Sequence, residues 1–114
     1  MGADGAGARR AHHLRGRARL KPHEKLEALG RVVAALAHPA RRQILLTLHF
    51  RGGVATAGEI AGRFEHKWPT TTRHLRVLEA AGLLRQEKHG RTRVYTLDTT
   101  RLTLVTEWLA WFNT

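Results

Sequence analysis

The sequence predicts a mainly α-helical domain with a small β-hairpin, and three observations support that fold class. Apolar residues recur at helical spacing in several segments. Two short segments of alternating apolar and polar residues follow near the C-terminal end, and a glycine-containing stretch joins them. A chain of 114 residues with a hydrophobic content of 42% is long and apolar enough for one packed domain.

Prolines, glycines and capping residues set the limits of the predicted elements. Pro39 opens the second helix because proline favours the first helical turn, and Gly52-Gly53 ends that helix. Thr56 and Glu59 have the three-residue spacing of a capping box, and Thr99 is placed to cap the last helix. The predicted helices cover about 23–37, 39–51, 57–64, 69–81 and 100–113, and the predicted strands cover 83–87 and 93–97.

The order of these elements is helix, helix, helix, helix, strand, strand, helix. Within it, a short helix, a brief turn and a longer helix are followed by a basic hairpin. That layout is typical of a winged helix-turn-helix domain, in which the hairpin is the wing.

The first 21 residues differ in composition from the rest of the chain. Residues 1–21 hold mostly Gly, Ala, Arg and His and few large apolar side chains, so we expect a disordered basic tail. Six basic residues against the single acid Asp4 give this tail +5, and subtraction from the formal net charge of +11 leaves +6 for residues 22–114. The predicted domain at 22–114 is therefore basic by itself, as expected of a protein that binds polyanions.

Composition also excludes several classes of protein. The chain has no cysteine, which rules out disulfides, thiolate metal sites and cysteine nucleophiles and is consistent with a reducing cytoplasm. Its longest apolar run, Val32 to Ala37, is far shorter than the roughly 20 residues that span a bilayer, so no membrane association is expected. Serine is absent and the acidic residues are scattered, so no catalytic group stands out and we expect no enzyme.

The fourth predicted helix carries the candidate base-reading residues. At about 100° per residue, Thr71, Leu75 and Leu78 share an inward face, and Arg73 lies opposite to it. Arginine can bind guanine through two hydrogen bonds, and threonine can bond a base or contact a thymine methyl. The helix alone would also fit a solvated polar face, but its place before a basic hairpin favours DNA contact. The candidates are Thr70, Thr72, Arg73, His74 and Arg76.

The predicted hairpin carries four basic or titratable side chains around its tip. Lys88, His89, Arg91 and Arg93 crowd together, and no acidic residue lies between Glu87 and Asp98. Like charges this close destabilise a hairpin unless an anion meets them. A solubilising turn is the alternative, but charges of one sign favour contact with DNA phosphates.

The last predicted helix has an apolar face that is wider than one small domain needs. The face predicted to form a dimer interface consists of Leu102, Val105, Trp108, Leu109 and Phe112. With Leu104 and Trp111 it covers about half the circumference, and such a face would be an exposed apolar patch without a partner. A membrane-surface helix would have flanking basic residues, and only Arg101 is basic here, so a homodimer is favoured.

Three motifs in order resemble the ArsR/SmtB family of winged-helix repressors, over about residues 24–112. They are the segment LAHPARRQIL at 36–45, the segment TRHLRVLEAAGLL at 72–84, and Gly90-Arg91 followed by VYTL at 94–97. The resemblance implies a bacterial, cytoplasmic and nucleoid-associated homodimer. It further implies that the fourth helix and the wing bind a pseudo-palindromic operator in double-stranded DNA and release it on a signal.

The metal sites of that family do not carry over to this chain. One site uses a Cys-x-Cys pair, and no cysteine is present. The other, on the last helix, would place ligands at Asp98, Thr100, Trp111 and Thr114, and only Asp98 has a ligating side chain. We expect Asp98 to act as a helix cap, Arg41 to be a paired structural residue and Arg42 to point outward. No metal and no cofactor are expected.

Two alternatives to a repressor remain open from the sequence. One is an activator of the same family that responds to a signal other than a metal. The other is a winged helix whose recognition face binds protein. The basic wing and tail argue against the second alternative, and steep salt dependence of binding to random DNA would separate it from the others.

Overall fold

The computed structural model describes residues 20–63 and 68–113 and has the predicted helical architecture. Its elements are α1 (Pro22–Leu36), α2 (Pro39–Phe50), β1 (Val54–Thr56), α3 (Ala57–Ala61), α4 (Trp68–Ala80), β2 (Leu84–His89), β3 (Thr92–Leu97) and α5 (Leu102–Ala110). Most of the proposed tail, residues 1–19, lies outside the described residues, as does the predicted end of the third helix at Phe64. No helix within the described ranges is long and apolar enough to cross a membrane.

The β-structure is a three-stranded antiparallel sheet instead of an isolated hairpin. Its strand order is β1-β3-β2, and β1 pairs Val54 with Thr96 and Ala55 with Tyr95. A three-residue strand is too short to show an alternating pattern, which is why the sequence did not predict it. Strands β2 and β3 are joined by Gly90-Arg91, a shorter connection than the predicted stretch of five residues.

The core lies where the inward faces of α1 to α4 meet the sheet. Apolar side chains from every one of these elements are buried there, and as predicted the inward face of α4 consists of Thr71, Leu75 and Leu78. The predicted capping box is confirmed. The Thr56 hydroxyl accepts the N–H of Glu59 at 3.1 Å, and the Glu59 carboxylate accepts the N–H of Thr56 at 3.1 Å. The third helix is shorter than predicted and ends at Ala61.

Hydrogen bonds from arginine side chains close the corner between α1 and α2. Arg41 Nε donates to the carbonyl of Ala35 at 2.8 Å, and Arg42 Nη1 donates to the carbonyl of Leu36 at 2.6 Å. These carbonyls lie in the last turn of α1, where backbone acceptors lack helical partners and a positive charge is favourable. Arg41 is therefore a structural residue as predicted, and Arg42, which is exposed as predicted, also bonds the end of α1.

A buried carboxylate holds the turn that leads into α5. Asp98 is buried, its Oδ1 accepts the N–H of Thr100 at 3.0 Å, and its Oδ2 lies 3.8 Å from Arg85 Nε. The prediction that Thr99 caps the last helix was wrong, because the helix begins later, at Leu102. The expectation that Asp98 caps the helix was also wrong, because Arg101 is the N-cap residue and no side chain caps the helix, while Asp98 bonds the preceding turn.

Two helices end in the same hydrogen-bonded motif, each with a glycine at positive φ. After α4, Gly82 N–H bonds the carbonyl of Glu79 and Leu83 N–H bonds that of Leu78, which is a Schellman motif. Gly52 has the equivalent position after α2. The φ angles are 80° at Gly82 and 85° at Gly52, but their surroundings differ. A Cβ at Gly82 would lie 2.7 Å from Arg101 Cδ, whereas nothing lies within 4 Å of one at Gly52.

We predict that Gly82→Ala destabilises the protein more than Gly52→Ala does. Both variants force alanine into a left-handed conformation at a cost of about 1 kcal/mol. Gly82→Ala must also displace the Arg101 side chain, which adds about 0.5–1.5 kcal/mol. Denaturant unfolding of both variants at one protein concentration measures the difference, and equal losses would contradict the contact with Arg101.

Candidate nucleic-acid interface

The outward face of α4 presents arginine side chains to solvent. Arg73 and Arg76 are exposed on the side opposite the buried Leu75, and Thr70 and Thr72 are half-buried at the flanks. The helix is rotated as predicted because its inward side chains are fixed in the core. The N-terminal half of α4 therefore offers a guanidinium and hydroxyls to a ligand outside the domain.

His74 differs from its prediction as a DNA-facing residue. Its side chain is only 6% exposed, and its ring centroid lies 4.4 Å from that of His38 at the start of α2. The spacing explains the position, since His74 follows the inward Thr71 by three residues and precedes the inward Leu78 by four. His74 packs α4 against the α1–α2 corner and does not belong to the candidate interface.

Two cations at the wing have no competing partner among the described residues of the domain. Lys88 and Arg91 are exposed, and among residues 20–63 and 68–113 their side chains have neither a hydrogen bond nor an ion pair. Arg91 lies in the turn between the strands, and Lys88 is the penultimate residue of β2. Both side chains are available to anions in solution.

The other two predicted wing residues are engaged inside the hairpin. His89 Nε2 lies 3.1 Å from Glu87 Oε2, on the same strand. Arg93 Nη1 donates to Gln86 Oε1 at 3.3 Å across the two strands. The partners are ordinary polar residues of the hairpin, so the sequence pattern did not reveal either interaction.

Sequence reasoning also missed a polar cluster between α4 and the wing. Gln86 Nε2 donates to Glu79 Oε1 at 3.1 Å, so that Glu79, Gln86 and Arg93 form a continuous chain of hydrogen bonds. Tyr95, buried beside them, pairs with Gln86 in the strand register. Burial and the nearby charge of Glu79 raise the pKa of the Tyr95 hydroxyl, and the positive charge of Arg93 opposes that shift. The phenol therefore stays protonated and neutral around neutral pH.

The predicted dimer residues divide into two groups in the structure. Leu102 and Val105 are half-buried and pack against the domain's own core, so part of each side chain is used within the domain, and their role in a dimer stays a prediction. Trp108, Leu109 and Phe112 are 47%, 50% and 69% exposed. Helix α5 and the residues just after it thus have more apolar surface than the domain covers, and only part of this apolar face packs within the domain.

Helix α1 adds to that exposed apolar surface. Leu26 and Val33 are exposed on α1, and Trp111 is 81% exposed just after α5. A groove of about 450 Å³ runs between the two helices. It is lined by Leu20, Pro22, Lys25, Leu26, Leu29, Leu104, Glu107, Trp108 and Trp111. We refer to the exposed apolar residues of α1 and α5 as the α1–α5 surface.

The structure brings no evident metal site together in the part of the chain that it describes. Within residues 20–63 and 68–113, no three His, Asp or Glu side chains lie close enough to hold one ion. Asp98 is engaged by backbone and by Arg85, as described above.

The short helix α3, the longer α4 and the basic hairpin define a winged helix-turn-helix protein. Comparison with known proteins agrees, since the profile of a helix-turn-helix domain family matches residues 36–87. The transcriptional repressor SdpR of Bacillus subtilis is 35% identical over 81 residues, which are 71% of this chain and 88% of the repressor.

Solved structures give the same result. A crystal structure of an ArsR family transcriptional regulator matches with a TM-score of 0.69 and 33% identity, over 82% of this chain and 91% of that chain. The solution structure of a homodimeric winged helix-turn-helix DNA-binding domain from Mycobacterium bovis matches with a TM-score of 0.60 and 28% identity, over 75% and 80% of the two chains. This chain belongs to the ArsR/SmtB family of winged helix-turn-helix transcriptional regulators and is not an enzyme.

Proposed function

We propose that this protein is a transcriptional repressor that binds a pseudo-palindromic DNA operator as a homodimer. The observation that carries the proposal is the exposed Arg73 face of α4 beside the wing cations Lys88 and Arg91, which have no partner among residues 20–63 and 68–113. A helix-turn-helix domain places its second helix in the major groove, so that helix and wing face one duplex together. The repressor named among its relatives supports repression over activation.

The two groups of side chains have different tasks in this proposal. Arg73 lies in the N-terminal half of α4, from which recognition helices read base edges, and Thr70 and Thr72 flank it. Lys88 and Arg91 extend from the hairpin and neutralise phosphates, which fixes orientation without reading sequence. Arg76, one turn beyond Arg73, is closer to the polar cluster of Glu79, Gln86 and Arg93. In this proposal it contacts the edge of the DNA major groove.

We predict that Arg73→Ala and Arg91→Ala weaken DNA binding in different ways. Loss of an Arg–guanine pair should cost about 1–3 kcal/mol on the operator and little on random DNA. Loss of Arg91 should weaken both complexes about equally and lower the salt slope by about one phosphate contact. The operator is first selected from a random DNA pool, and each variant is then titrated with operator and random duplexes at several salt concentrations.

The two variants serve as controls for each other because each removes one exposed arginine. Arg73→Ala removes it from α4, and Arg91→Ala removes it from the wing. If Arg73→Ala weakens operator and random DNA alike, Arg73 is a phosphate contact and Thr70 or Thr72 must read the bases. If neither variant changes binding, this surface does not bind DNA.

The α1–α5 surface supports the homodimer. Four large side chains at the end of the chain are about half exposed or more, and Leu26 and Val33 extend the same apolar area. Monomeric proteins rarely leave contiguous apolar patches of this kind in water. A two-fold dimer would place two recognition helices about 34 Å apart, so half-sites should be centred about 10–11 base pairs apart or a multiple of that.

We predict that the double variant Trp108→Glu and Leu109→Glu is monomeric and binds the operator weakly. Two carboxylates in a buried apolar interface would each lose hydration without a partner. Phe50→Glu is the matched control, because Phe50 is an aromatic residue that is 80% exposed on α2, away from the α1–α5 surface. Sedimentation at micromolar concentration measures the dimer, and a wild-type monomer, or a control as disruptive as the double variant, would contradict the proposal.

We further propose that the releasing signal acts through neither metal site known for the family. The chain has no cysteine, and Thr100 and Trp111 occupy positions of the last-helix site where ligands would be needed. Zinc at stoichiometric concentration should therefore leave the operator complex intact in a gel-shift titration. Release at submicromolar zinc, reversed by a chelator, would overturn this part of the proposal.

A further inference from the structure

We infer that Gln86 is a positioning residue that sets the angle between the recognition helix α4 and the wing. Its side-chain amide bridges Glu79 in the last turn of α4 and Arg93 on the second wing strand. The inference rests on the proposed DNA binding by these two elements and adds a residue that contacts no DNA.

The wing needs such a link because the sheet supports only its inner part. Strand β1 pairs with β3 from Val94 to Thr96, whereas β2 and β3 continue together to His89 and Thr92. Beyond Val94 the wing is thus a two-stranded ribbon, which is marginally stable by itself and free to bend. The bridge from Gln86 lies at this boundary and ties the outer ribbon to α4.

An amide suits this position for a simple chemical reason. Its NH₂ group donates to the Glu79 carboxylate while its carbonyl oxygen accepts from the Arg93 guanidinium. Both bonds involve one charged partner, so each is stronger than a bond between neutral groups. A carboxylate at this position would repel Glu79, and an apolar side chain would bond neither partner.

The environment of the bridge strengthens it. Gln86 is half-buried and lies opposite Tyr95, which is almost fully buried, so water screens the Gln86–Glu79 bond less than on an open surface, whereas the Arg93–Gln86 bond is exposed. The bridge engages the exposed Arg93 side chain, whereas the side chains of Lys88 and Arg91 make no hydrogen bond or ion pair with the described residues.

The consequence for DNA binding is preorganisation. Helix α4 must enter the groove while the wing reaches the phosphates, so both contacts form together only at one range of angles. A wing that is already held at that angle loses less conformational freedom on binding, which increases affinity without a new contact.

We test this inference with Gln86→Met and with the exchange variant Glu79→Gln plus Gln86→Glu. Methionine has a similar length but no amide, so the bridge is lost without a change in charge. In the exchange variant, the amide introduced at position 79 can donate to the carboxylate introduced at position 86. That carboxylate also pairs with Arg93, and the net charge equals that of the wild type. The exchange variant therefore restores the bridge with the polar groups reversed.

Two measurements are made on the full chain. Gln86→Met should bind the operator about tenfold more weakly, the equivalent of one charge-assisted hydrogen bond, with the same preferred sequence, because the contacts in the bound state are unchanged and only the cost of ordering the wing rises. In the DNA-free protein, ¹⁵N order parameters at residues 88–93 should fall. The exchange variant should restore affinity and order parameters to near the wild-type values.

Unchanged order parameters in Gln86→Met, or an exchange variant as weak as Gln86→Met, would overturn the positioning role. Purely structural damage would lower the midpoint of unfolding without weakening operator binding by the folded protein, and would also count against it. Failure of the proposed function gives a different result, since the wild-type protein itself would then show no salt-dependent binding to DNA.

Discussion

The burial of one face of α4 is the constraint on which the rest of the molecule depends. Leu75 and Leu78 are almost completely inaccessible, and shortening such side chains to alanine costs about 2–5 kcal/mol. A rotation of α4 by even one residue, about 100°, would expose them. The core therefore fixes which side chains face outward, and Arg73 can be presented to a ligand only because the opposite face is buried.

The same helix also connects the proposed DNA-binding face of the domain with the α1–α5 surface. At its C-terminal end, Glu79 bonds Gln86 in the wing, and Gly82 lies under the Arg101 side chain at the start of α5. The buried Asp98 carboxylate adds a second contact, between β2 and the turn before α5. A change in the position of α5 would thus act on packed side chains that reach α4, a physical route by which a partner on the α1–α5 surface could alter the DNA-facing side.

The sequence predictions were accurate where they depended on residues close together in the sequence, and failed where they depended on contacts between distant segments. Helix order, the capping box at Thr56 and the inward face of α4 depend on spacings of three or four residues, and the structure confirms them. Strand β1, the partners of Arg93 and the start of α5 depend on contacts between separate segments, and these were missed. The inward position of His74 could have been predicted from the sequence, because its spacing from Thr71 and Leu78 places it on the same face of the helix.

The formal net charge of the chain does not equal the number of its contacts with DNA. Arg41, Arg42 and Arg93 all donate hydrogen bonds within the domain, the first two to the carboxyl end of α1. An arginine held in this way would have to break those bonds to reach a phosphate. The free energy needed to break them would reduce the net free energy of binding. Cations such as Lys88 and Arg91, which have no such partner in the part of the chain that the structure describes, can release counterions at little cost. The formal net charge of +11 therefore attracts DNA over a distance, while a smaller number of uncommitted side chains sets the salt dependence of the bound state.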